Sequence, residues 1–518
     1  MNGKDLLNEL EHLDDALVQK HAKTVPARGT TRRIRWGALA ACLVLLAGIG
    51  GGPILSSWWE SQMETWESQM ETLSATVGGG AEEDEYATSG AAAVQLVAEA
   101  EYPELPQQPS EQAWMDGELT EEEFDEQNEA YYEAYDALQR EQPDSAYLDG
   151  LQGFTGSTME QILSGEKVEN VVYSPANLYM ALAMLSETAK GNSQKQILDL
   201  LGVEDTDTMR EQTGRIWKQL YNNGAYTKTL LANSIWLNSE LSFHADIVDR
   251  LAKDYFASTY QAVMGDKETE QAIAKWIDEN TGNLLQKETQ GIELDKNTIM
   301  ALYSTLYFYD QWAIQFDENK TAPDTFTTAG EKEMQTDFMH LTGHGAFVRG
   351  DGYSKASLYF SGATSMTFVM PDEGTTIDQL LGDPETVATL FHTEEEQEEY
   401  GEIVWSIPKF DVSSHRALNK DLQALGVSDI FHPGTANFTP LTEEQEAAIS
   451  RIDQAARVKI DENGCEAASY TEIVMAGEAD VVEELPSFTM NLNRPFLFVI
   501  SGTDNLPLFV GVVNQPGE

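Results

Sequence analysis

Close to the C-terminal end, two strand-like runs stand far apart with a patternless stretch between them. Ala456–Ile460 (Ala-Arg-Val-Lys-Ile) alternates as a half-buried strand does, and Phe496–Ile500 is an unbroken apolar run of strand length. Roughly thirty residues with no strong pattern of their own join them, and loops that long in compact domains are usually functional or disordered. The front of the stretch is built of small residues: Gly464, Cys465, Ala467, Ala468 and Ser469. They are weak strand formers, yet small side chains can slide between two existing strands without a steric penalty.

The rest of the chain supplies the strands. From about Ala146 to the end, helical apolar runs (Leu178–Leu185, Ile197–Leu201, Ile247–Tyr255, Ala272–Ile277) mix with strand-like ones. The latter are Leu230–Leu237, Ala301–Phe308, Met366–Met370, Glu402–Ile407, Phe496–Ile500 and Leu508–Val513. That mixture reads as α+β with large, mainly antiparallel sheets. The 518 residues are long enough for two or three domains, or for one large one with appendages. Two cysteines, Cys42 and Cys465, exclude a disulfide framework and, without a CxxC partner, a structural zinc held through cysteine. A formal net charge of −55 argues against nucleic acid or an anionic lipid surface as partner, since both are polyanions.

The N-terminal part reads as a tether. Residues 1–35 are a short polar segment with one amphipathic helix over Asp5–His21, closed by Arg28, Arg32, Arg33 and Arg35. The uncharged run Trp36–Trp59 exceeds the roughly 20 residues that cross a bilayer core, so residues 36–59 read as a transmembrane helix with its basic side cytoplasmic. The domain after it then lies outside the cell; the alternative is a cleaved secretory signal and a secreted domain. Leu39-Ala40-Ala41-Cys42 superficially matches a lipoprotein box, but the apolar core follows the cysteine rather than preceding it. Residues 60–145 read as an acidic extracellular linker. Trp-Glu-Ser-Gln-Met-Glu-Thr occurs twice there, at Trp59–Thr65 and Trp66–Thr72, as a short coiled-coil seam or a duplication within a spacer. Thr120–Gln142 is a solvated acidic helix or spacer, with no loop of alternating oxygen ligands for calcium.

Glu462, Gly464, Glu466, Ala467 and Ala468, followed by Arg494-Pro495-Phe496, resemble the hinge and exit of the reactive-centre loop of serpins, suicide inhibitors of proteases. Further serpin-like stretches follow in the family's order over residues 146–518. Asn170–Leu178 resembles a Ser-Pro segment entering a helix, with Ser174 as N-cap and Pro175 as first helical residue. Thr188–Ser193 is similar to the turn after that helix, with Gly191 as its stop. Asn233–Leu237, Leu306–Trp312, Met366–Pro371, Pro408-Lys409-Phe410 and Pro507–Gly511 complete the series. There are departures: Ser304 stands where the family has Asn, Asp310 where it has Gly, Gln454 where a His helps hold the sheet closed, and Cys465 where Thr is usual.

The resemblance, together with the span, implies a membrane-anchored bacterial serpin with a serpin-like fold and an exposed reactive-centre loop. It implies an inhibitor of serine, or cysteine, endopeptidases. The loop is cleaved, the enzyme is trapped as an acyl-enzyme, and the cut loop inserts into the main sheet. About 14 inserted residues, at about 0.5–1.5 kcal/mol per backbone hydrogen bond, supply on the order of 10 kcal/mol. At about 3.3 Å per residue they span roughly 45 Å. Alternate positions Cys465, Ala467, Ser469 and Thr471 are small, as insertion requires of the face that becomes buried; Glu466 and Tyr470 fall on the other. Counting forward from Glu462 puts the attacked bond at Glu478–Ala479; counting back from Arg494-Pro495-Phe496 puts it at Glu484–Leu485. Either position implies a glutamate-preferring serine protease as partner, acting on a monomeric serpin domain without cofactor or metal.

No enzyme motif competes: G-x-S-x-G, H-E-x-x-H, a P-loop and a Rossmann glycine pattern are all missing. His340 and His344 could share a metal only on a helix, which Thr342-Gly343-His344-Gly345 disfavours. A non-inhibitory surface binding or adhesion module, with the loop as an epitope that never inserts, is the remaining alternative.

Overall fold

The computed structural model describes residues 94–103, 109, 114–115, 117, 119–139, 142–165, 168–224, 227–362, 364–391, 398–443, 447–449, 451–465, 486–502 and 505–517. All belong to the unit Gly90–Glu518. Residues 1–35, the uncharged run Trp36–Trp59 and the heptapeptide repeat lie outside the described residues, as do Glu466 to Leu485. Among the described residues no helix is long and apolar enough to cross a membrane.

Two large sheets form the frame, with strands numbered in chain order. The first runs β1 (Val94–Ala98), β5 (Ala257–Ala262), β4 (Lys228–Asn238), β6 (Met300–Gln311), β14 (Gly464–Cys465), β13 (Asp453–Ile460), β12 (Phe410–Ala417), with the short β3 (Asn222–Asn223) on β4. The second runs β15 (Ser487–Asn491), β11 (Glu399–Pro408), β8 (Glu333–Arg349), β9 (Tyr353–Tyr359), β10 (Ser365–Pro371), β16 (Phe496–Ser501), β17 (Pro507–Val513), β2 (Val171–Tyr173), with β7 (Ala322–Thr327) on β8. Among the described strands only β4–β5 and β11–β15 pair in parallel. The apolar runs β16 and β17 are buried throughout, as strands covered on both faces must be.

Around the sheets lie α1 (Glu121–Gln139), α2 (Ser145–Leu163), α3 (Pro175–Thr188), α4 (Asn192–Leu201), α5 (Thr206–Leu220), α6 (Ala245–Asp254), α7 (Lys267–Asn280), α8 (Ile377–Leu381), α9 (Pro384–Phe391) and α10 (Asn419–Ala424). Helix α3 is buried at every position but Ala181 and passes through the main core, which explains the apolar run Leu178–Leu185 at its centre. It starts as its sequence requires: Ser174 Oγ accepts from the Asn177 amide at 3.1 Å and Pro175 occupies the first turn. Its end differs from the expectation. The helix stops at Thr188, and Gly191 (φ 65°) instead turns the chain into α4, a left-handed position that glycine takes without steric cost. A second core of Trp236, Met264, Ile273, Ile277 and Leu285 packs beneath α7, against β4 and β6.

The region read as a spacer up to residue 145 differs most. Val94–Ala98 forms an edge strand on β5, from Val94 opposite Ala262 to Ala98 opposite Thr259. Tyr102 then stacks on Trp217 (5.5 Å) and Phe256 (6.1 Å). The physical reason is the open edge of β5, whose unpaired amides and carbonyls accept a short β-prone segment, Val-Gln-Leu-Val-Ala, despite its acidic surroundings. Helix α1 is the acidic helix; Thr120 and Glu123 cap its start reciprocally, and it packs on α5. His340 and His344 lie on β8, four strand positions and about 13 Å apart, too far to share a metal.

Candidate functional site

The hinge begins as a clamped turn. Asp461 N donates to Gly464 O (3.0 Å) and Asp461 Oδ1 accepts from Asn463 N (2.9 Å), closing the chain on itself. Trp312, just beyond β6, holds it from one side: its backbone N–H donates to Asn463 O and its indole N–H to Asp461 O, both at 2.9 Å. Glu462 anchors it from the other. Its carboxylate accepts from Thr321 Oγ1 and Lys409 Nζ, both at 2.8 Å, and its carbonyl from Phe316 N at 3.0 Å. Burial pushes this carboxyl up, but the bonds from Lys409, a backbone amide and Thr321 outweigh it and hold the group below its ordinary value.

The next two residues lie between two strands. Gly464 pairs with Gln311 and Cys465 with Asp310 of β6, while Cys465 also pairs with Ile460 of β13. Glycine is required at 464 by close approach: a Cβ there would meet the Asp310 carbonyl and stand 2.7 Å from Gln311 Cα. Cys465 is 4% exposed and faces the main core. Beyond it, no described strand pairs with the facing edges of β6 from Met300 to Tyr309 or of β13 from Asp453 to Lys459. Met300–Phe308 and Asp453–Val458 line a cavity of about 320 Å³, together with Leu284, Leu285, Ile292 and Leu294.

At the far end of the slot, side chains bind both strands to the start of α3. Gln454 of β13 accepts from Ser174 N and donates to Ser174 O, both at 3.0 Å. Asn177 Nδ2 donates to Ser304 O of β6 at 2.8 Å. Glutamine thus meets both backbone groups of one residue. Gln454→Ala strands those buried groups and is expected to cost about 2 kcal/mol, read as a lower denaturant midpoint; a change under about 0.5 kcal/mol would contradict the role assigned to it.

Asp310 is the unusual group at the mouth. It is 1% exposed, and its carboxylate accepts from Thr364 Oγ1 (2.7 Å), Gln311 N (2.9 Å) and Gly362 N (3.2 Å), tying β6 to the β9–β10 turn. Burial raises its pKa from 3.8 to about 6, against the pull of those donors. Because the folded value lies above the unfolded one, its contribution to stability is complete below about pH 4 and is lost as pH rises through 6. Relative to Asp310→Asn, the wild type should therefore lose up to about 3 kcal/mol between pH 4 and 7 in paired denaturant titrations; a difference independent of pH would contradict this.

The arrangement thus offers a clamped hinge, small residues entering between two parted strands, and side-chain ties across the slot. The family model for Serpin (serine protease inhibitor) matches residues 149–516. The chain belongs to the serpin family. A serine protease inhibitor of Cyanea capillata is 26% identical over 361 residues, 67% of this chain and 93% of that protein. Antichymotrypsin-2 of Bombyx mori is 26% identical over 376 residues, 70% and 96%. An uncharacterised serpin-like protein of Methanosarcina acetivorans is 27% identical over 362 residues, 67% and 82%. Among solved structures, the native state of the thermophilic serpin tengpin superposes with a TM-score of 0.65 at 23% identity, covering 72% of this chain and 95% of its own. Human thyroxine-binding globulin gives 0.63 at 21%, covering 72% and 100%. At these identities the structural likeness shows the fold alone, which is the α+β serpin fold.

Of the hinge residues read from the sequence, the structure brings Glu462, Gly464 and Cys465 together at the slot. Glu466, Ala467, Ala468, Ser469 and Thr471, and the bond candidates Glu478, Ala479, Glu484 and Leu485, lie outside the described residues. The Lys409–Glu462 pair was missed, because its partners are 53 positions apart and neither carries a local signal.

Proposed function

We propose that this serpin is a suicide inhibitor of a serine endopeptidase, with a cysteine endopeptidase as a second target class. The observation that carries the reading is the double pairing of Cys465, to Asp310 on one side and Ile460 on the other. In the same antiparallel register, Ala467 would follow opposite Phe308 and Val458, Ser469 opposite Leu306 and Ala456, and Thr471 opposite Ser304 and Gln454. Those are the core-facing positions of both strands, and the loop has a small side chain for each.

Glu478–Ala479 is the bond we assign to attack, with Glu484–Leu485 as the alternative, and a glutamate-preferring protease as the partner. The protein then carries no turnover chemistry of its own. The span Trp36–Trp59 holds the domain on the outer side of a membrane, or is removed on secretion. Incubation with a glutamate-specific serine protease, followed by a denaturing gel, tests the reading. A band at the sum of the two masses is expected; cleavage with no such band would select the non-inhibitory binding module.

A further inference from the structure

The connection from α7 to β6, residues 281–299, runs as successive turns and shares the cavity of about 320 Å³ with the facing strands β6 and β13. That volume lies at the lower end of the range that small-molecule pockets occupy. Ile277, Leu284, Leu285, Ile292 and Leu294 give the cavity an apolar wall. Gly291, Glu293 and Asp295 line it and are exposed, so it reaches the surface along an acidic rim.

Two polar atoms in this cavity lack the bonds that burial demands. Thr298 is 6% exposed, and its Oγ1 meets no hydrogen-bond partner among the described residues; Glu288 Oε2 is likewise buried and without one. Both residues line the cavity. Buried polar groups are nearly always bonded, and an unmatched carboxylate is the costliest to leave so. The cations lining the cavity are committed elsewhere. Arg457 donates to both Asp411 oxygens, at 2.7 and 2.6 Å, and to Leu284 O at 2.9 Å. Arg451 Nε donates to Asp453 Oδ1 at 2.7 Å, and His415 stands 3.9 Å from the same carboxylate. Negative charge is crowded on the α7 side: burial, against the bond from Thr289, and then the charges of Glu279 and Glu288 push the Asp278 carboxyl above its ordinary value. Water would meet the two oxygens but leave the leucine and isoleucine wall wetted. A cation with a hydrocarbon body meets both.

We propose that this cavity binds a small organic cation, a primary ammonium group on an apolar body. Glu288 holds the ammonium group, whose three donors match open acceptors, with Thr298 Oγ1 as a further acceptor. The body lies against Leu284, Leu285, Ile292 and Leu294. The acidic rim and the formal net charge of −55 draw such a ligand in. Binding needs nothing of the loop. One consequence does rest on the reading that the loop inserts: the ligand stands in the gap between β6 and β13, so insertion and occupancy exclude each other.

The test is calorimetric titration of the whole chain with 2-phenylethylamine and with its neutral counterpart 2-phenylethanol, repeated on Glu288→Gln and Glu279→Gln. Glu279 is the control, since it lies on α7, pairs with Lys275 at 3.5 Å and does not line the cavity. The amine should bind wild type at one saturable site with a Kd of about 1 mM or tighter, the range open to so small a ligand, and should raise the melting temperature as its concentration rises. The alcohol should bind at least tenfold more weakly. Glu288→Gln should lose at least tenfold in affinity for the amine, while Glu279→Gln stays within twofold of wild type. No saturable binding of the amine overturns the site, as does equal affinity for the alcohol or an equal loss in Glu279→Gln. The comparison of amine with alcohol is made on the wild type, so it decides even where a variant fails to fold. With a glutamate-specific protease added, saturating amine should lower the yield of covalent complex at least twofold; an unchanged yield overturns the exclusion. A wild type that forms no complex without amine overturns the inhibitory reading, and the titrations still decide the site.

Discussion

Ala467→Arg is expected to convert the inhibitor into a substrate. Two residues before it, Cys465 faces the core at 4% exposure, paired on both sides. Side chains alternate along a strand, so residue 467 enters facing Phe308 and Val458, which are 4% and 2% exposed. Burying an unpaired guanidinium there costs several kcal/mol. Against a total drive on the order of 10 kcal/mol spread over about 14 residues, such a cost at the second inward position stalls insertion before the bulk of the bonds form. The acyl-enzyme then has time to hydrolyse. Titration of active protease should show the number of inhibitor molecules consumed per enzyme rising at least tenfold, with the rate of loop cleavage unchanged. An unaltered stoichiometry would remove insertion from the mechanism.

Gly464→Val should act one step earlier. The Asp310 carbonyl and Gln311 Cα occupy the space of any Cβ at 464, so β14 cannot keep its pairing with β6 when a branched side chain is added. The loss includes the Gly464–Gln311 and Cys465–Asp310 pairs and the turn bond from Asp461 N to Gly464 O. About 3 kcal/mol of destabilisation follows, within the range of overpacked sites and lost buried bonds. Equilibrium unfolding measures it. A midpoint equal to wild type would mean that the hinge does not rest between the strands.

How much of this was legible in the chain depended on whether a residue's role is local. Helix α3 and strands β16 and β17 announce themselves because their burial is nearly complete and their sequences carry unbroken apolar runs. The hinge was legible through its small residues, of which Gly464 and Cys465 form β14 between β6 and β13. Strand β8, at 17 residues the longest described, was not read as a strand, since Gly343, Gly345 and half-exposed polar positions break any alternation. Strand β1 was hidden by its setting in an acidic, Ala- and Gly-rich segment, and only the free edge of β5 explains it. The ties that hold the slot, Gln454 to Ser174 and Lys409 to Glu462, join residues 280 and 53 positions apart. Asp310 and Gln454 stood out as departures from the family pattern, but their partners could not be named from sequence.

Hydrogen exchange read by mass spectrometry, before and after protease cleaves the loop, tests insertion most directly. The peptides to follow are Met300–Tyr309 of β6 and Asp453–Lys459 of β13, whose facing edges have no described partner strand. If the cut loop becomes a strand between them, their amides should slow by several orders of magnitude after cleavage, as do those of Glu466–Glu478 themselves. Exchange that stays the same or quickens in all three segments would contradict insertion and leave the slot without the role assigned to it.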